Sequence, residues 1–465
     1  MISRSLAIVA ALCVLPHLHA QGIQQLSPSD KKAAIERIDS LLIDNYVFED
    51  LARKCADHLN RKFSQGAFDS ILDVRQFAGE LTKELQSISH DKHMRVSVPP
   101  QSPGRENAPD PLLDDLIMRR STAQRNFGVA RAEALEGNIG LLDIRSFPAT
   151  EVSRGTVTAA LKVLENVDAL IVDLRKNNGG NPDLIRYYCS YFFPARTHLN
   201  SLYWRRGNRT EEFWTLDSVE GKRRPDLPVF ILTSSRTFSG GEEFAYNFQT
   251  RKRATLIGET TGGGANPGGF FRVDSRLGIF IPTGRAINPV TKTNWEGTGV
   301  EPDIKVAADD ALNTCLPLAR EKAKQYEEME KQRTEHELEP IRKALEEGEK
   351  LLASANNGEA ERRISSVLES GVAAGIANEM SVNNLGYSYL QGGKTEMAIA
   401  VFSFNVKQFP RSANVYDSLG EALMKAGRMQ ESIRNYQKSI DLDPTNENAK
   451  EMIKKMSEGM KKDPR

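Results

Sequence analysis

Residues 228–249 read PVFILTSSRTFSGGEEFAYNFQ. Val229 to Leu232 is an unbroken apolar run ending at Thr233, the pattern of a strand buried on both faces. A short polar stretch follows, then a segment with Phe244, Tyr246 and Phe248 that reads as a helix. Ser239 falls at the junction of strand, loop and helix. A serine there has two physical readings. As a helix cap, its hydroxyl accepts a backbone N–H, and Glu242, three residues on, completes a capping box. As a nucleophile, it gains from glycines that let a substrate approach and from N–H groups that hold an oxyanion. The stretch is not the G-x-S-x-G elbow of other hydrolases, so by itself it leaves both readings open.

The same pattern recurs on either side. NIGLLDIRSF (138–147), DALIVDLR (168–175), ATLIGET (254–260) and LGIFIPTGR (277–285) are short runs of Ile, Val, Leu and Phe bounded by Gly, Pro or Asn. Helical segments such as TVTAALKVLENV (156–167) lie between several of them. This alternation predicts an α/β layer with a largely buried sheet. Before it, residues 27–90 carry apolar positions at helical spacing, among them Ile35, Ile38, Leu41, Leu42, Phe77, Leu81 and Leu85, with Ser27 and Ser29 as candidate caps. Residues 97–126, rich in Pro, Asp and Arg, read as an irregular connection. After Asp303 comes a highly charged helical stretch that reads as a solvated linker. In the last hundred residues Leu385 and Leu419, Gly386 and Gly420, Phe402 and Tyr436, and Pro410 and Pro444 are each 34 positions apart. That is the tetratricopeptide period, a helix-turn-helix unit. Two such units would leave an apolar face uncovered, which predicts packing against residues 351–378, residues 448–460 or the α/β domain.

The chain has 465 residues, 62 basic and 62 acidic. Balanced charge argues against a nucleic-acid or membrane-surface role driven by bulk charge. Residues 1–20 combine Arg4, a short apolar run and a small residue, Ala20, ahead of Gln21. They read as a signal peptide, and so predict an exported, periplasmic or extracellular protein with no membrane span after cleavage. Cys55, Cys189 and Cys315 share no metal-ligand spacing and read as buried small hydrophobes.

A nucleophilic serine needs a base. His90 and His93 lie in SISHDKHMRV (87–96), where a helix gives way to a strand. His-x-x-His with Asp91 is also a pair of metal-ligand types, but no further ligand cluster completes a site. VDLRKNNGGNPDLI (172–185) follows a buried strand and opens a helix. It lacks the spacing of a dinucleotide fingerprint and the lysine of a P-loop, whereas Gly179 or Gly180 could offer an N–H to an oxyanion. GETTGGGANPGGF (258–270) reads equally as a long hairpin loop or a substrate loop.

Together TSSRTFSGGEEFAY (233–246), LIGETTGGGANPGGF (256–270), PTGRAINPVTKTNWEGTGVEPDI (282–304), LRKNNGG (174–180) and HDKHMRV (90–96) resemble the tail-specific, or C-terminal-processing, serine peptidase family. The likeness covers roughly residues 25–305 and is greatest to the branch near tricorn protease and the repeats of the interphotoreceptor retinoid-binding protein. It implies a crotonase-like ββα-type α/β core, with an N-terminal helical domain and here a C-terminal all-α repeat module. It implies Ser239 as nucleophile, Gly240 and the glycines Gly179 and Gly180 as oxyanion donors, His93 as general base and Glu296 as the carboxylate that orients it. It implies no metal and no organic cofactor. The best-known branch uses a Ser-Lys dyad; Gly264 stands where that lysine would be, so that mechanism is not expected. Related members often carry His where Asn266 stands. The interval from His93 to residue 138 is too short for the family's PDZ domain.

The resulting expectation is a signal peptide (1–20), an N-terminal helical domain (21–92), a catalytic core (93–308), a charged linker (309–350) and tetratricopeptide-like repeats (351–465, clearest over 380–447). The expected activity is that of an exported serine endopeptidase acting on a protein or peptide substrate, with a protein partner for the repeats. The alternative is a non-catalytic protein built on the same fold, either a binder of an apolar ligand or a scaffold.

Overall fold

The structure, a computed structural model, describes residues 25–99 and 110–462, so the expected signal segment lies outside it. By internal contacts the chain divides into two units, residues 1–327 and 328–465.

The first unit opens with three helices, α1 (Pro28–Asn45), α2 (Glu49–Ser64) and α3 (Val74–Ser89). Ser27 caps α1: its hydroxyl accepts the Asp30 N–H at 3.1 Å, and Asp30 accepts the Ser27 N–H at 2.9 Å. The predicted apolar stripe of Ile35, Ile38, Leu41 and Leu42 is buried. Its partners are not only helices. A short strand, β1 (Arg95–Ser97), leads into helix α4 (Pro111–Gln124) and the sheet strands that follow. Residues 111–124 were expected to be irregular, as part of a stretch rich in Pro, Asp and Arg; Pro111 occupies the first turn, where its missing N–H costs nothing, and Asp110 caps the helix.

The main sheet is built from β2 (Val129–Leu135), β3 (Ile139–Ile144), β4 (Ala169–Asp173), β7 (Val229–Thr233), β8 (Thr255–Gly258) and β12 (Ile304–Lys305), in the order β12-β8-β7-β4-β3-β2. All pairs are parallel except β2–β3. Helix α5 (Thr150–Val163) joins β3 to β4. Helix α6 (Pro182–Cys189) and the hairpin of β5 (His198–Trp204) and β6 (Arg209–Trp214) join β4 to β7. Helix α7 (Gly240–Gln249) joins β7 to β8. Every residue of β4 and β7 is buried, which explains their unbroken apolar runs. One face packs on Val157, Leu184, Phe244 and Phe248. The other is covered by Ala311, Cys315, Ala319 and Ala323, whose small side chains let the start of α8 (Ala311–Ala353) lie close.

Two three-stranded antiparallel sheets complete this unit. One orders β1, β10 (Gly278–Pro282) and β9 (Gly268–Arg272); the other orders β11 (Gly284–Ile287), β5 and β6. Leu277, Ile279 and Ile281 share one core with α1–α3. The expected boundary at residue 92 therefore runs through a continuous core. Cys55, Cys189 and Cys315 are all free and buried.

The second unit is helical, with α9 (Asn357–Ala373), α10 (Glu379–Gln391), α11 (Thr395–Gln408), α12 (Ala413–Lys425), α13 (Met429–Leu442) and α14 (Glu447–Lys462). Its 34-residue repeat has a packing cause. Gly386 leaves room for the Phe402 ring, and Gly420 does the same for Tyr436. The faces that two repeats alone would expose are covered on both sides. Leu345, Ile364 and Leu368 pack against Val382, Met397 and Val401, and Ala449 and Met456 pack with Tyr436. No helix of the described residues is long and apolar enough to cross a membrane.

A Cβ at position 386 would meet the Phe402 ring at 2.4 Å, whereas one at 420 would meet Tyr436 at 3.1 Å. Gly386→Ala is expected to cost the repeats about 1–3 kcal/mol of stability by overpacking, and Gly420→Ala clearly less. Urea unfolding of the two variants, followed by helical circular dichroism, checks the order.

Candidate active site

Three loops converge at the carboxyl ends of parallel strands, where open α/β sheets form their sites. They follow β4, β7 and β8. The loop after β7 places Ser239 at φ 54° and ψ −120°, immediately before the first turn of α7. A capping serine is extended; a β-substituted residue at this positive φ is strained, and strain of this kind gathers at functional sites. The Glu242 N–H that a capping hydroxyl would take donates to the Ser239 carbonyl at 2.9 Å, although Ser239 and Glu242 keep the arrangement of a capping box. Glu242 does form its half of a capping box, accepting the Ser239 N–H at 2.8 Å.

Glu242 is completely buried. Besides Ser239 it accepts Thr261 Oγ1–H at 2.5 Å and Gly263 N–H at 2.6 Å on Oε1, and Gly264 N–H at 2.9 Å on Oε2. One carboxylate thus ties the turn at Ser239 to the loop after β8. Burial raises its pKa, and these four donors oppose the rise.

The loop after β4 is fixed by Asn177. Its amide donates to Ile144 O at 3.0 Å, its Oδ1 accepts the Gly179 N–H at 2.8 Å, and its carbonyl accepts the Phe238 N–H at 3.0 Å. Gly179 and Gly180 both have positive φ, 97° and 142°. A Cβ on Gly179 would lie 2.7 Å from Gly240 N, and one on Gly240 would lie 3.0 Å from Gly180 N, so the three backbones touch. The Gly179 N–H, one of the expected oxyanion donors, is committed to Asn177. Among the described residues the N–H groups of Gly180 and Gly240 donate to no protein acceptor.

His93 sits between α3 and β1. Its ring packs on Phe238, centroids 4.6 Å apart, and on Phe280 at 5.9 Å. Asp91, Glu296 and His93 each bring a ligand atom within 4.8 Å of the others. Glu296 is thus brought beside His93 across some 200 residues of chain. Asp91, which sequence reasoning named only as a metal-ligand type, is almost fully buried. It accepts from Tyr46 Oη at 3.4 Å, Asn266 Nδ2 at 2.9 Å and the His93 N–H at 3.0 Å. Asn266 therefore has a place, as a donor to Asp91. His90 is exposed and ends α3 in the left-handed region, with φ 54°. The same three atoms are the donor set in this site that could hold a metal ion.

The electrostatics follow from burial. The His93 imidazole is pushed down to about 4, chiefly by burial and secondarily by Arg95. The Glu296 carboxyl is pushed up to about 8 by burial and then by Asp91, against the Ala265 N–H that it accepts at 2.5 Å. Asp91 is raised by burial. His93 Nδ1 and Glu296 Oε1 are buried without hydrogen-bond partners, and Nδ1 lies 4.0 Å from Asp91. A neutral imidazole can accept a proton, and a neighbouring carboxyl counters the resulting charge where it is ionised. No hydrogen bond joins His93 to Ser239 Oγ; Phe238 packs against the imidazole.

Gly264 lies between the two groups. A Cβ there would fall 2.3 Å from Phe238 Cζ and 2.8 Å from His93 Cε1. A lysine cannot occupy this position without displacing both rings, which gives a steric reason for the absent dyad.

Residues 138–306 match the model of peptidase family S41. Residues 19–124 match the N-terminal domain of peptidase S41 in eukaryotic IRBP, and residues 413–446 match a tetratricopeptide repeat. The carboxy-terminal-processing protease of Bartonella bacilliformis is 25% identical over 178 residues, 37% of this chain and 39% of the relative. The carboxyl-terminal-processing protease of Synechocystis sp. is 29% identical over 154 residues, 33% of this chain and 34% of the relative. The chain thus spans well under half the length of these curated relatives. Tricorn protease aligns with 63% of this chain and 37% of its own, at 15% identity and a TM-score of 0.40. The chain carries a peptidase family S41 domain, behind an IRBP-type N-terminal domain and ahead of tetratricopeptide repeats.

Two outcomes test the geometry. Glu242→Gln retains the size and one acceptor oxygen but sets an NH2 against the two N–H donors of the other; it is expected to cost about 1–3 kcal/mol for each donor left unpaired, measured by urea unfolding. Glu296 makes stability depend on pH. Its folded pKa, about 8, lies above the ordinary 4.5. The stability it contributes is present below the lower value and is lost as pH rises through the upper one. Between about pH 5 and pH 8, Glu296→Gln is expected to lose less unfolding free energy than the parent protein, while Asp91 keeps part of the slope.

Proposed function

We propose that this protein is a serine-type endopeptidase that cleaves peptide bonds by acyl transfer through Ser239. The observation that carries the reading is the strained turn. It presents the Ser239 hydroxyl beside the uncommitted N–H groups of Gly180 and Gly240. In this reading Ser239 Oγ attacks the scissile carbonyl, and the two N–H groups hold the developing oxyanion. His93 takes the serine proton and returns it to the leaving amine. Glu296 and Asp91 orient the imidazole and balance its charge. In this reading the hydrogen bond from Ser239 to His93 forms as substrate binds; catalytic hydrogen bonds are often long before that step. Non-catalytic ligand binding is a second reading, favoured by that same missing hydrogen bond. The proposal includes export, from the pattern of residues 1–20, and a protein substrate engaged by the repeats, whose stacked hairpins make a surface suited to a peptide.

A serine-directed phosphonate distinguishes the two readings. A covalent adduct on Ser239, mapped by mass spectrometry and lost in Ser239→Ala, is expected; an unlabelled Ser239 in folded protein leaves the binding reading. His93→Ala is expected to lower turnover by about three orders of magnitude or more, whereas His90→Ala, at an exposed helix end, retains most of it. Turnover in excess chelator is expected to stay unchanged. Its loss, with recovery on adding a divalent ion, would assign Asp91, His93 and Glu296 to a metal instead.

A further inference from the structure

Beside Ser239 lies a cavity of about 260 Å³. Its lining includes Ser239 and Gly240, Leu202 and Trp204 from β5, Trp295 from the loop after β11, and Glu243 from α7. A water in the liquid occupies about 30 Å³, so the space is large enough for a long side chain. The two indole N–H groups are spent elsewhere, Trp204 on Glu211 at 3.3 Å and Trp295 on Gly264 O at 2.8 Å.

Glu243 is the only charged residue of the lining. It is one turn along α7 from Ser239, and helix side chains lean back toward the N-terminus. It has no ion pair among the described residues. Arg251, beyond the end of α7, spends its guanidinium on the carbonyls of His198, Leu199 and Asn247 and on Thr250 Oγ1. Asn200, fully buried on β5, lies close enough to oppose the rise in the Glu243 pKa, yet neither of its amide atoms closes a hydrogen bond of normal geometry. Burial pushes the Glu243 carboxyl up to about 7. A buried carboxyl without a counterion is costly. The expense is recovered when a cation enters, and aromatic walls suit both the aliphatic stem and the charged end of that cation.

We infer that this cavity receives the side chain on the acyl side of the scissile bond, and that Glu243 selects lysine or arginine there. The inference rests on Ser239 as nucleophile and deepens that reading by naming the substrate class. Glu243 is a specificity residue and takes no part in the bond exchange. An apolar pocket discriminates weakly between side chains of similar size, but one with a buried polar group left unpaired rejects the analogue that cannot pair with it.

The test uses two peptide phosphonates identical except at the residue joined to phosphorus, which is lysine in one and its uncharged isostere norleucine in the other. The rate of Ser239 labelling is measured for the parent protein, Glu243→Gln and Glu243→Leu. The parent is expected to react about tenfold or more faster with the lysine probe. Glu243→Gln should lose most of that preference, and Glu243→Leu should reverse it toward norleucine. Equal rates in the parent, or a lysine preference that survives both substitutions, would overturn the inference. Labelling without lysine preference overturns this inference alone, whereas no labelling by either probe overturns the peptidase reading and this one with it. Glu243→Gln, nearly isosteric, keeps the test decisive if the leucine variant does not fold.

Discussion

The buried carboxylate of Glu242 is the interaction on which the rest of the site depends. It gathers the Ser239 N–H, the Thr261 hydroxyl and the N–H groups of Gly263 and Gly264. Those donors come from two loops that follow different strands of the main sheet. Without an acceptor between them, four buried donors would be unpaired, at about 1–3 kcal/mol each. With it, the strained backbone at Ser239 is held from both sides. The position of Gly264 is held too, and through it the packing of Phe238 and His93. Backbone strain persists only when its surroundings over-determine it, and this carboxylate is a large part of those surroundings.

The site has two halves. Ser239, Gly240 and Gly180 form one, at the ends of β4 and β7. His93, Asp91 and Glu296 form the other, on the N-terminal helical segment and the loop after β11. The second half exists only because β1 pairs with β10, so that the helical N-terminus and the hairpin β9–β10 fold as one core. Phe238 is the contact between the halves, stacked on the imidazole while its neighbour Ser239 carries the hydroxyl. The His93 environment favours a neutral ring and the Glu296 environment a protonated carboxyl. In the proposed reaction the proton transfer would create charge in that pocket, and a carboxyl balances it only in its ionised form.

Much of this was legible in the sequence, for local reasons. The buried parallel strands announced themselves as unbroken apolar runs, and the repeats announced themselves by period, because Gly386 and Phe402 must pair in every unit. The stretch around Ser239 was ambiguous because cap and nucleophile use the same residue types. The backbone angles at Ser239, which no composition encodes, are not those of an ordinary extended cap. The roles of Asp91, Asn177 and Asn266 were less visible. Each is a polar residue in a loop, and its importance lies in partners distant in sequence, such as Asn266 for Asp91 and Ile144 for Asn177. Glu242 was visible only as half of a capping box; its three further donors come from residues 261–264. Helix α4 was missed because a proline can open a helix as readily as it can break one.

The central claim is that the two halves act together on one acyl group. The most direct measurement is a crystal structure of the phosphonate adduct. It should show phosphorus bonded to Ser239 Oγ, with a phosphonyl oxygen about 3 Å from the N–H groups of Gly180 and Gly240. The His93 imidazole should lie within hydrogen-bond distance of the serine oxygen. An adduct whose oxygen points away from both glycines, or one in which the imidazole stays beyond hydrogen-bond distance of the serine oxygen, would contradict the account.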